Sequence, residues 1–127
     1  MFLHDFHPIL YIKMVDLGKI LHLYLNHFPK YEKYCLCSSI RSNYYEIYDI
    51  LIEVAKRYHK KTSLTNLDIS HEQLRMKLLL AKELGYFTFK NGIKTRSKKI
   101  EARRYLYISG LIDEIGRIIG SLLKSHL

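Results

Sequence analysis

Apolar positions recur along most of this chain at alternating steps of four and three, the spacing that lines up one side of an α-helix. Leu10, Met14, Leu17, Leu21, Tyr24 and Phe28 form the first such stripe. Pro8 suits its first turn, where a missing N–H costs nothing, and Phe28-Pro29 closes it, because the residue before proline avoids helical geometry. The second stripe is Leu36, Ile40, Tyr44, Ile47, Leu51, Val54 and Tyr58, which predicts an uninterrupted helix from about Lys33 to Lys61. Thr62-Ser63-Leu64-Thr65-Asn66 then reads as a polar break, with Thr65-x-x-Asp68 resembling a capping box that carries Asp for Glu. Leu67, His71, Leu74, Leu78 and Ala81 make the third stripe, and Gly85 marks its end. Asn91-Gly92 is the clearest turn signal in the chain. Tyr86-Phe87-Thr88-Phe89 has the character of a short extended piece, but no partner strand is evident. The last stripe, Ile108, Leu111, Ile112, Ile115, Ile118, Ile119 and Leu122, is wide, with most charges on the opposite side.

These patterns predict helices over about 9–28, 33–61, 66–85 and 97–125. Four amphipathic helices with short or moderate connections favour an all-α fold, an antiparallel up-down-up-down four-helix bundle occupying residues 1–127 as one domain. A length of 127 residues with 48% hydrophobic content suits one compact core and argues against disorder. No secretory signal and no membrane-spanning run is evident, so the expectation is a soluble, cytoplasmic protein. Two cysteines cannot build a disulfide framework, and Cys35-x-Cys37 matches no zinc pair; both read as small buried hydrophobes.

Charge adds the first functional hint. The net charge is +9, and it is uneven. Residues 1–32 and 66–89 are each neutral, while residues 90–127 carry nine basic groups against three acidic. Two clusters stand out: Lys56, Arg57, Lys60 and Lys61, and then Lys90, Lys94, Arg96, Lys98, Lys99, Arg103 and Arg104. Bundle topology puts them at opposite poles. The first sits at a predicted helix C-terminus, where the macrodipole favours cations; a solvated helix end is as good a reading there as a binding surface. The second opens a helix, where the dipole opposes cations, so it calls for a compensating partner such as phosphate. A flexible solvated loop is its other reading. Tyr105 and Tyr107 beside it are candidates for base stacking, whereas Tyr44, Tyr45 and Tyr48 suit a core or a subunit interface.

Enzyme signatures are missing. No glutamate is followed by histidine three residues on, as a di-metal bundle requires, and His-Glu-x-x-His is absent, so no metal or other cofactor is expected. There is no phosphate-cradling loop. The Arg and His pair of HEPN ribonucleases, four to six residues apart, is absent too.

Three segments carry a resemblance. They are His27-Phe28-Pro29-Lys30-Tyr31-Glu32-Lys33-Tyr34 with Leu36 and Ile40-Arg41; Leu74-Arg75 with Ala81-Lys82-Glu83-Leu84; and Leu111-Ile112-Asp113-Glu114-Ile115-Gly116-Arg117-Ile118-Ile119-Gly120. In this order they resemble the four-helix-bundle family that includes the accessory variability determinant (Avd) proteins of diversity-generating retroelements, bacterial or phage-encoded. Proteins encoded in ribosomal-RNA intervening sequences fall in the same family. The likeness spans roughly residues 8–125. It implies a ring-like homopentamer with a basic surface and no catalytic residues. The implied partners are a reverse transcriptase and template RNA, with cDNA or an RNA–DNA hybrid as further candidates, in support of mutagenic reverse transcription. Arg75 stands where the family's third helix carries a basic partner-binding residue. Gly116 and Gly120 suit close helix packing. Two departures stand out: Ser121-Leu122 replaces the family's Gly-Trp, and the segment before the last helix is longer and more basic. The alternative is an oligomeric scaffold of the intervening-sequence type with no direct role on nucleic acid.

Overall fold

The computed structural model describes residues 3–126. A short helix α1 (Leu3–Phe6) leads into α2 (Pro8–Leu25), α3 (Leu36–Lys56), α4 (Lys61–Glu83) and α5 (Lys98–Ser125). The four long helices form an all-α bundle around one core. Pro8 occupies the first turn of α2, and the His7 imidazole caps it by accepting from the Leu10 N–H at 3.1 Å. Gly85 takes the left-handed conformation (φ 81°) directly after α4, where a Cβ would be strained.

Polar contacts pin each adjacent helix pair. The Tyr44 hydroxyl of α3 donates to the Met14 carbonyl of α2 at 2.7 Å, and burial pushes its pKa up to about 12. The Asn43 amide of α3 donates to the Ser70 carbonyl and hydroxyl of α4, both at 3.0 Å, and accepts from Lys77 at 3.1 Å. His71 of α4 is only 6% exposed and bonds the Ile112 carbonyl of α5 at 2.7 Å. Lys13 of α2 pairs with Glu114 of α5. These groups fix the rotational register of helices whose apolar stripes alone would let them slide.

Several expectations need correcting. α3 ends at Lys56, so Tyr58 leaves the second stripe and stands 91% exposed. The break at Thr62–Asn66 is helix: Thr65 lies inside α4, and its hydroxyl donates to the Lys61 carbonyl at 2.9 Å instead of capping. Leu64 is fully buried and extends the third stripe by one turn. Burying a leucine is worth about 1.5–3 kcal/mol, which outweighs the poor helix propensity of its Thr, Ser and Asn neighbours. Finally, of the expected extended piece Tyr86–Phe89, Tyr86–Thr88 is a 3-10 turn; the strand is Phe89–Lys90, and it does have a partner, Ile93–Lys94, paired antiparallel with Phe89 opposite Lys94. Asn91 (φ 51°) and Gly92 (φ 81°) both take positive φ, the two-residue hairpin turn that Asn-Gly favours. Cys37 is buried as expected, but Cys35 is exposed.

Candidate nucleic-acid interface

The hairpin rests on an aromatic plug. Phe87 is buried among Tyr24, Phe28 and Tyr105, with ring centroids 5.3–6.2 Å away, while Tyr86 meets Phe28 and Phe89 at 5.6 and 5.9 Å. Backbone bonds complete the seat. The Gly92 N–H donates to the His27 carbonyl (3.1 Å), and the Asn91 N–H donates to His27 Nδ1 (3.0 Å). The Thr95 N–H and hydroxyl both reach the Thr88 carbonyl. The segment is a hydrogen-bonded hairpin seated on the bundle and leading into α5.

Six cations project from this seat and from the start of α5: Lys90, Lys94, Arg96, Lys98, Lys99 and Arg103, all exposed. Among the described residues none of the six pairs with a carboxylate. Lys98 and Lys99 stand in the first turn of α5, opposed by its dipole at roughly 0.3–1 kcal/mol each. The Ser97 hydroxyl offsets part of this by accepting from the Ile100 N–H at 3.1 Å. Arg104, predicted with this group, is turned inward. Its Nη1 donates to the Phe89 carbonyl at 2.6 Å and its guanidinium lies 5.9 Å from the Tyr24 ring. Burial lowers its pKa, and it clamps the hairpin to α5. Tyr105 is likewise occupied, packed on Phe87 with the Lys82 ammonium 5.8 Å from its ring; Tyr107 remains exposed.

The second cluster lies at the other pole, next to α1. Lys60 Nζ donates to the carbonyls of Val54 and Arg57 and sits 4.8 Å from the Phe6 ring, so it caps α3. Arg57 pairs with Glu53 at 3.0 Å. Lys61 begins α4, and Lys56 closes α3. Lys60 and Arg57 thus serve the helix end itself. Arg75 lies on α4 with Nε and Nη2 on the Glu72 carboxylate at 2.9 and 2.5 Å, which lowers the Glu72 pKa. Around it a shallow hollow of mixed charge includes Asp68, Asp113 and Arg117.

The hairpin pole also collects cations the sequence patterns did not group. The Lys30 stem packs under Gly92, where a Cβ would lie 2.9 Å from Lys30 Cε. Lys33 and Arg41 line the same corner, between α2 and α3. Counting charge by sequence segment hid them, since Lys30 sits in a neutral segment and Arg41 stands apart from either cluster. Among the described residues, no three His, Cys, Asp or Glu side chains are placed to hold a metal ion. No helix there is long and apolar enough to cross a membrane.

The family model described as bAvd-like matches residues 9–126. The chain belongs to the bAvd-like family. No curated protein and no solved structure matches it. The match covers all four long helices of the bundle and the basic hairpin between α4 and α5. Membership in the bAvd-like family points to an accessory role in retroelements.

Proposed function

We propose that this protein is a non-catalytic, cytoplasmic accessory factor of a diversity-generating retroelement, binding template RNA, its cDNA or their hybrid together with the reverse transcriptase. The observation that carries the nucleic-acid part is the hairpin pole: six exposed cations without carboxylate partners among the described residues, on a seat fixed by hydrogen bonds and packed rings. Their mutual repulsion and their opposition to the α5 dipole are relieved when phosphates neutralise them. The Arg75 surface, already neutralised by Glu72 and flanked by acids, suits the polymerase better than phosphate. A homopentamer would repeat the basic pole five times, and avidity would then raise the affinity of a modest patch. The half-exposed Ile69, Met76 and Leu80 on the outer side of α4 support assembly through that face.

RNA filter binding across a salt series tests the reading. The triple variant Lys98→Glu, Lys99→Glu, Arg103→Glu should lose at least tenfold in affinity. Its log–log salt slope should flatten by about 0.7–0.9 per phosphate contact removed. Arg104 is left intact so that the hairpin stays seated. Unchanged affinity and slope would place the nucleic-acid surface elsewhere, and no RNA retention by the unmodified protein would favour the scaffold alternative.

A further inference from the structure

Where α2 ends and α3 begins, the chain lines a half-open cavity of about 350 Å³. Its inner wall is apolar, formed by Leu25, Phe28 and Pro29; its rim carries Lys30, Lys33 and Arg41. None of these three cations meets a carboxylate among the described residues. The nearby acid, Glu32, is committed elsewhere: its carboxylate accepts from the Tyr86 hydroxyl at 2.6 Å and from the Leu36 N–H at 3.3 Å. Among the described residues Arg41 is held by one long bond, Nη2 to Asn26 Oδ1 at 3.3 Å, which leaves most of its guanidinium donors unused there.

Three unneutralised cations around an apolar pocket ask for a ligand with a multiply charged anionic end and an apolar body. A single carboxylate would leave most of that charge unmet. A phosphate matches the guanidinium fork and two flanking ammonium groups. The remaining volume and the apolar wall suit a ring the size of a nucleobase, and the cavity is within the size range of small-ligand sites. We propose that this cavity is a mononucleotide site, with the phosphate on Lys30, Lys33 and Arg41 and the base against Leu25, Phe28 and Pro29.

The hairpin turn adjoins it, because Gly92 lies over the Lys30 stem. A strand crossing Lys90 and Lys94 can therefore deliver one of its nucleotides to the cavity. In that form the proposal rests on the nucleic-acid reading of the hairpin pole. A free nucleotide is the other source of the same chemistry.

Two ligand arms separate these sources, with AMP and a short single-stranded oligonucleotide as the probes, followed by calorimetry and amide chemical shifts. AMP should bind at least tenfold more tightly than inorganic phosphate or adenosine and should shift the Leu25 and Cys37 amides. The double variant Lys33→Gln, Arg41→Gln should weaken AMP at least tenfold. A triple Lys98→Gln, Lys99→Gln, Arg103→Gln variant should leave AMP within twofold. Delivery by a strand predicts that the double variant also weakens the oligonucleotide about tenfold. Circular dichroism and melting confirm the fold of each variant, and Lys33→Gln alone, at an exposed position, should weaken AMP in the same direction. AMP binding without oligonucleotide binding would support a free-nucleotide site and sink the hairpin-pole reading. Failure of AMP to bind at millimolar concentration, or phosphate binding as tightly as AMP, would overturn the proposal. In either case, loss of oligonucleotide binding in the triple variant alone would leave the hairpin-pole reading standing.

Discussion

His27 joins two elements through one ring nitrogen. Its Nδ1 accepts from the Asn91 N–H, so the imidazole must be neutral and carry its proton on Nε2. Burial lowers its pKa from the ordinary value near 6.5, and the charges of Arg104 and Lys90 lower it further. A depressed value means that the folded state resists protonation. The stabilisation is therefore complete above the unfolded value and is lost as pH falls from there through the folded one. Hairpin docking should weaken over that interval, because the imidazolium can no longer accept from Asn91 and repels its cationic neighbours. Amide-exchange protection at Asn91 and Gly92, corrected for intrinsic rates, should drop between pH 7.5 and 5. In His27→Gln it should be low and flat across the range. Equal pH dependence in both proteins would show that another group controls the hairpin. None of this was legible in the sequence, where His27 is one of seven scattered histidines. Arg104 was hidden for the same reason: it differs from Arg103 only in the direction it faces on α5, and the carbonyl it seeks lies in a hairpin the apolar pattern did not complete.

Helix α5 tests the pairing of glycines that the sequence suggests. Gly116 faces α4, and a Cβ there would lie 2.7 Å from His71 Cε1. That ring is buried and held by the Ile112 carbonyl, so it cannot swing aside cheaply. Gly116→Ala should therefore cost about 1–3 kcal/mol, the usual range for overpacking. Gly120 has nothing within 4 Å of its would-be Cβ, so Gly120→Ala should stabilise by about 0.5–1 kcal/mol through helix propensity alone. Urea midpoints of the two variants should move in opposite directions; a shift of both to lower urea would mean that Gly120 is also packed against something. At this scale the sequence was most informative for the helices, because a four-three stripe is a repeated signal in which one weak position changes little. The pattern is silent where one residue decides. Leu64 reads as part of a polar turn but is taken into the core, and the two-residue strands flanking Asn91-Gly92 are too short to show alternation. The exposed Cys35 shows the same limit, since it precedes the first turn of α3 and the helical spacing does not govern it.

For the whole molecule, the balance of faces matters more than the net charge. The two poles hold cations for different reasons: one uses Lys60 to cap a helix, and the other leaves six cations without carboxylate partners among the described residues. Between the poles, the outer side of α4 carries Ile69, Met76 and Leu80, each about half exposed, where a solvated helix would carry charge. If that face packs against a second copy, the basic poles are repeated about the assembly axis, and nucleic acid meets several at once. Replacing Ile69, Met76 and Leu80 together with glutamine keeps the charge and removes the apolar stripe. Sedimentation should then show a single-copy mass in place of the five-copy mass that the proposed pentamer predicts for the unmodified protein, with unchanged helical content by circular dichroism. RNA affinity should fall about a hundredfold or more, because the lost term is avidity and not any phosphate contact. The salt slope per bound protomer should stay the same, which separates this variant from the charge-reversal triple. An unmodified protein sedimenting as a single copy would refute assembly through α4. A triple-glutamine variant that still forms the five-copy species would move the interface to another face.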